Sequence, residues 1–155
     1  MRINLLGNIK IYLDTSVISA LFDTRTPERQ RLTEKAWITF KDYEVYISEK
    51  VLQEINQTND SQKRALFSKA ISGYNVLTVT ADIEDLANEY IKQGIFSEKY
   101  FSDALHVALA SVNGISYLLS WNFNHLVKVK TRRLIVLVNA IKDYPAVEII
   151  TPPEL

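Results

Sequence analysis

The stretch IYLDTSVISALF, residues 11–22, changes its periodicity at the fourth residue. Ile11, Tyr12 and Leu13 form an unbroken apolar run, as a strand covered on both faces requires, and the pattern turns helical from Thr15 onward. Asp14 stands at the junction. A carboxylate there has two readings. It can cap the helix by accepting from a free backbone N–H. It can also mark the carboxyl end of a buried parallel strand, where open α/β sheets bind their ligands. Residues 11–22 alone leave both open.

The rest of the chain repeats that alternation of short β-branched runs and longer helical stretches. It predicts strands over 9–13, 44–47, 76–79, 117–119 and 147–150, and helices over 15–22, 28–41, 48–58, 61–72, 82–93, 99–113 and 131–142. Such an order specifies an α/β fold: a three-layer sandwich with a central parallel sheet of about five short strands flanked by helices. Thr15, Ser48, Ser61, Thr80 or Ala81, and Thr131 sit where helix caps are useful. The four glycines and four prolines fall mostly at junctions, and no linker, repeat or low-complexity tract divides the chain, so residues 1–155 read as a single domain. Pro152 and Pro153 predict an extended tail that cannot continue the sheet.

Composition narrows the chemistry. Of 155 residues, 47% are hydrophobic and 23% charged, as in an ordinary soluble globule with a substantial core. The absence of cysteine excludes disulfide frameworks and thiolate metal sites, and two histidines leave little for imidazole metal chemistry. A metal, if bound, would be a hard cation held by oxygens. Eighteen basic residues balance eighteen acidic ones, so only local clusters bear on nucleic acid. No apolar run reaches membrane-spanning length and no secretory signal is present, which places the expected location in the cytoplasm.

Three further segments carry candidate chemistry. In SEKVLQEIN, residues 48–56, Val51, Leu52 and Ile55 share one helical face; Glu49 falls opposite and Glu54 at the margin, angled inward. In KYFSDALHVALASVNG, residues 99–114, the helical wheel is apolar nearly all round, yet Asp103 lands between Val107 and Ala110. A carboxylate so flanked needs a partner, either a cation or a basic side chain. His106 projects toward Ser102 and Asn113 and reads as structural. In YLLSWNFNHLV, residues 117–127, a strand ends in Ser120 and presents Asn122, Asn124 and His125, either as turn residues or as groups holding water or substrate.

Together YLDTSVI, VLQEI, DALHVALA, LLSWNFNHL and the ending VNAIKDYPAVEIITPPEL resemble the PIN-domain family, metal-dependent ribonucleases that include the VapC-type toxins of bacterial toxin–antitoxin pairs. The resemblance covers almost the whole chain and implies acidic residues gathered at the carboxyl ends of a parallel sheet. Asp14, Glu54 and Asp103 match the family's three principal acidic positions. Asn122 stands where many members carry a fourth acid, which leaves three negative charges and puts a second tightly held metal in question. The resemblance implies Mg²⁺ or Mn²⁺, with Asp14 and Asp103 as ligands, Glu54 as ligand or base, Asn122 positioning water or phosphate, and Ser16 and Ser120 hydrogen-bonding behind them.

It further implies an RNA substrate, admits a cognate antitoxin and a homodimer, and points away from membranes. Lys128, Lys130, Arg132 and Arg133 in VKVKTRR form a cluster suited to phosphate contacts, and Arg25, Arg29 and Arg31 form a weaker one. Trp37 and Phe40 would suit an interface or a core. A second reading is a catalytically weakened PIN fold serving as a binding or scaffolding module. A haloacid-dehalogenase-like phosphohydrolase would want a second Asp two residues after Asp14, where Ser16 stands.

Overall fold

The computed structural model describes residues 3–155. Among these, β1 (Lys10–Leu13), β2 (Glu44–Ser48), β3 (Asn75–Leu77), β4 (Tyr117–Leu119) and β5 (Glu148–Ile150) form one parallel sheet in the order β3-β2-β1-β4-β5. Seven α-helices join them: α1 (Thr15–Ala20), α2 (Pro27–Thr39), α3 (Glu49–Asn56), α4 (Ser61–Ala70), α5 (Ala81–Lys92), α6 (Phe101–Val112) and α7 (Val129–Ile141). The five strands and seven helices fall where the alternation predicts them, with ends shifted by a few residues.

Register explains why β1 decides the fold. Ile11 is paired with Val45 on one side and Tyr117 on the other, and Ile11, Tyr12 and Leu13 are wholly buried. The helices pack in two groups, α1 to α4 and α5 to α7, as right-handed crossovers on a sheet whose order reverses between β1 and β4 require. That reversal is the topological switch point, and its carboxyl edge opens a crevice. The most apolar helix, α6, buries every residue from Ala104 to Ser111. Gly114, at φ 67°, closes it: Ile115 N–H reaches Ala110 O at 3.0 Å, and the left-handed residue turns the chain back into β4.

Several expectations are corrected. Asp14, not Thr15, caps α1; Asp60, not Ser61, caps α4; and α7 starts at Val129, before Thr131. Ser48 caps α3 as expected, its hydroxyl accepting from Val51 N–H at 3.2 Å. The tail is not extended. Pro152–Glu154 form a 3₁₀ turn because Thr151 and Glu154 satisfy each other in a capping box. Phe40 is core, and Trp37 packs on it and on Tyr74. No helix is long and apolar enough to cross a membrane among the described residues.

Candidate active site at the carboxyl edge of the sheet

Asp14 follows β1 directly and Ser120 follows β4, so the switch point sets them face to face. Ser120 Oγ donates to Asp14 Oδ2 at 2.5 Å; Ser16 Oγ and Val17 N–H donate to Oδ1 at 2.5 and 3.3 Å. Asp14 is therefore cap and candidate ligand at once. Its carboxyl group is buried, and no lysine, arginine or histidine pairs with it among the described residues. Burial pushes its pKa above the ordinary 3.8, against the pull of the His106 charge and of the Ser120, Ser16 and Val17 hydrogen bonds. Hydroxyl donors hold this carboxylate in place without neutralising it.

Glu54, on the second turn of α3, comes inward as its place on the wheel predicts. Its Oε1 accepts from Thr15 Oγ1 at 3.2 Å and from His106 Nε2 at 2.5 Å, and Oε2 has no hydrogen-bond partner among the described residues. Burial pushes the Glu54 carboxyl upward. The His106 hydrogen bond and charge, with Lys50 and Thr15, outweigh it and hold the group below the ordinary 4.5. Glu54 is accordingly ionised at neutral pH.

His106 overturns its expected direction. It is not aimed toward Ser102 and Asn113 but is buried between β1 and Glu54, with Nδ1 at 2.7 Å from Tyr12 OH, which lies 2.8 Å from Ser48 Oγ. Since the ionised Glu54 only accepts, Nε2–H is the donor toward Oε1. Burial raises the Tyr12 phenol well above its ordinary 10.0, so it remains a donor. The chain Ser48, Tyr12, His106, Glu54 joins β1, β2, α3 and α6 across the top of the sheet. The sequence held one signal for it: Tyr12 and His106 are polar-tipped residues inside otherwise apolar runs.

Asp103 opens α6, where its side chain keeps 18% exposure, less enclosed than the apolar wheel predicts. Its partner is neither lysine nor arginine but His125, whose Nδ1 lies 2.8 Å from Oδ2; Asn122 Nδ2 approaches Oδ1 at a weak 3.4 Å. Asn122 is itself fixed, its N–H donating to Ser120 Oγ at 2.9 Å and its Oδ1 accepting from His125 N–H at 3.0 Å. Sequence reasoning named His125 only among the polar residues after β4, without its pairing to Asp103, and passed over Tyr100, whose ring centroid is 3.8 Å from that of His125.

The structure thus brings Asp14, Ser16 and Ser120 into direct contact, and likewise Asp103 and Asn122. Glu54 joins through Thr15, the residue after Asp14. As they stand, no three acidic or histidine side chains converge closely enough to hold a metal ion among the described residues. The donor set nevertheless suits a hard cation. Asp14 is a buried carboxylate without a cationic partner, Glu54 Oε2 is unengaged, and Asp103 Oδ1 has only the long Asn122 contact. Each other oxygen is anchored by a hydroxyl or an imidazole, as carboxylate ligands usually are.

The basic cluster is divided. Lys128, at the start of α7, lines the cleft beside His125, whereas Arg132 is drawn back to Ile149 O at 3.4 Å; Lys130 and Arg133 are exposed. Arg25 and Arg31 pair locally with Asp23 and Glu28. Arg29 lies over Trp121 and Phe123, 5.1 and 5.6 Å from their ring centroids.

Against known proteins, the PIN-domain family model matches residues 11–125. The chain is similar in fold to VapC20 of Mycobacterium tuberculosis, described as a sarcin-ricin loop cleaving toxin, at 24% identity and a TM-score of 0.54, covering 74% of this chain and 92% of that one. It is similar to VapBC2 of Rickettsia felis, solved bound to a DNA fragment from its promoter, at 15% identity and TM-score 0.57, covering 91% and 97%. FitAcB of Neisseria gonorrhoeae gives 15% identity and TM-score 0.58, covering 94% and 99%. No curated protein sequence matches the chain. The family match spans Asp14, Glu54, Asp103 and Asn122 and covers most of the sequence: this chain belongs to the PIN-domain family.

Proposed function

We propose that the chain is a divalent-cation-dependent endoribonuclease that hydrolyses RNA phosphodiester bonds and acts as the toxin of a type II toxin–antitoxin pair. The observation that carries this reading is Asp14: a buried carboxylate at the switch point, anchored by Ser16 and Ser120 and left without a cationic partner among the described residues. Asp14, Glu54 and Asp103 would hold Mg²⁺ or Mn²⁺, which when bound neutralises phosphate charge and activates water. Glu54, kept below the ordinary carboxyl range, is a weak proton acceptor and suits the ligand role better than that of base. Asn122, held from both sides by Ser120 and His125, positions water or a phosphate oxygen beside Asp103. Lys128, Lys130, Arg132 and Arg133 supply cations for the RNA backbone.

The likeness in fold to VapC20, described as a sarcin-ricin loop cleaving toxin, supports the biological role. The test incubates the purified chain, free of any antitoxin, with structured and single-stranded RNAs and Mg²⁺ or Mn²⁺, beside Asp14→Asn and Asp103→Asn. Metal-dependent cleavage lost in both variants supports the reading. Equal residual cleavage in all three proteins marks contamination and sinks it. Neutral Asn122 at the fourth acidic position favours a second reading, a PIN fold that binds without cutting. Metal-independent RNA binding with no cleavage would select it.

A further inference from the structure

Resting on the ribonuclease reading, we propose that the cleft between α6 and the start of α7 is a nucleotide subsite that takes one unstacked base of the RNA beside the reacting phosphate. The cleft has a volume of about 430 Å³ and opens to solvent. Buried Phe96 forms part of its floor, Tyr100 and His125 a wall, and Ser97, Asn124 and Lys128 its rim. The two wall rings lie 3.8 Å apart at 60° and offer an aromatic surface to a base. Aromatic side chains that stack unpaired bases are the general device of single-strand recognition.

Three features tie the cleft to RNA rather than to an apolar ligand. Its rim is polar: a hydroxyl, an amide and an ammonium suit a base edge, a ribose and a phosphate in turn. Lys128 has no acidic partner among the described residues, so its charge is available to a phosphate. His125 belongs to both places, with Nδ1 on Asp103 and its ring in the cleft wall, so a base seated there lies one side chain from a candidate ligand. The Nε2 edge of that ring has no hydrogen-bond partner among the described residues and can meet the base or its phosphate.

The test reads binding apart from cleavage. Uridine and adenosine 5′-monophosphates and the corresponding free nucleosides, with inorganic phosphate as the control, are titrated in EDTA into the full chain and into Tyr100→Ala and Lys128→Ala while amide shifts are followed by NMR. A 4-thiouridine oligoribonucleotide is crosslinked in parallel and the adducts mapped by mass spectrometry. The expected result is saturable nucleotide binding that shifts residues 96–100 and 124–128, is weakened about tenfold or more by Tyr100→Ala, is weakened by Lys128→Ala for the monophosphate but less so for the free nucleoside, and gives adducts on Tyr100 or His125. Shifts from phosphate alone, adducts confined to Trp121 and Phe123, or no binding of either nucleotide overturn the subsite whether or not the protein cuts RNA. Nucleotide binding at the cleft without any metal-dependent cleavage upholds the subsite while the nuclease reading fails.

Discussion

Two buried polar networks face different ends of the molecule. Between α5, α6 and α7, Tyr90 OH donates to Asn139 Oδ1 at 2.5 Å, while Asn139 Nδ2 donates to Ser111 Oγ at 2.8 Å and to Pro145 O at 3.1 Å. Every group there is neutral and the circle closes on itself. At the carboxyl edge, Ser48, Tyr12, His106, Thr15, Ser16 and Ser120 are just as well paired, but their bonds end on carboxylates, with Glu54 Oε2 and Asp103 Oδ1 left weakly engaged or open. A closed neutral network holds helices together. An open, acidic one awaits a charge from outside.

Substitutions at the two networks should therefore fail in different ways. The largest effect is expected from Asp14→Asn, which keeps shape and capping oxygen but removes the charge. RNA cleavage should fall by about a thousandfold or more, about 4 kcal/mol of transition-state stabilisation, with the fold intact by circular dichroism. Retention of more than a tenth of the activity would show that this carboxylate is only a cap. Asn139→Ala should do the reverse. Leaving the Tyr90 and Ser111 hydroxyls only each other, at 3.2 Å, and taking the Asn139 donor from Pro145 O costs about 2–4 kcal/mol, seen as a lower midpoint in urea with an unchanged slope, while kcat of the folded protein stays near wild type.

His106 tests where the boundary between the networks lies. It is buried like Asn139 but acts on Glu54, so His106→Ala should lower kcat/KM by about 10- to 100-fold. His106→Gln, which can still donate to Glu54 Oε1, should recover a good part of that. If both variants only lower stability and leave the folded enzyme at full activity, His106 belongs with the closed network.

That boundary is the least legible part of the sequence. The succession of strands and helices along the chain, the covered β1 and the inward positions of Asp14, Glu54 and Asp103 follow from local periodicity, because a strand end and a helix wheel are short-range geometry. The histidine contacts are not local. Glu54 and His106 are 52 positions apart and Asp103 and His125 are 22 apart, so only the tertiary packing of α3 on α6 and of the turn after β4 on α6 selects these partners. The wheel misdirects His106 because α6 is apolar on almost every side, and a nearly uniform wheel carries no direction. The two prolines of the tail suggest extension, but the Thr151–Glu154 pairing three residues apart settles a turn that proline also permits.

The smallest effect gives the sharpest contrast. Burial raises the Asp14 carboxyl above 3.8, so its neutral form is the one the metal-free fold favours. Its contribution to stability is fully present below about pH 3.8 and is lost as pH rises through the raised folded value; at neutral pH the apo protein carries a buried, uncompensated charge. The amide introduced by Asp14→Asn would carry none while still accepting from Val17 N–H. In EDTA at pH 7, Asp14→Asn should therefore melt higher than wild type, by about 2–4 °C for each kcal/mol of penalty removed. The difference should shrink as pH falls toward 4, and Mg²⁺ should raise the wild type more than the variant. No such gain is expected at Asn139, where nothing is left unneutralised. A wild type that outlasts Asp14→Asn in chelator at neutral pH would mean that the hydroxyl donors alone satisfy the carboxylate, and the carboxyl edge would then be a second closed network.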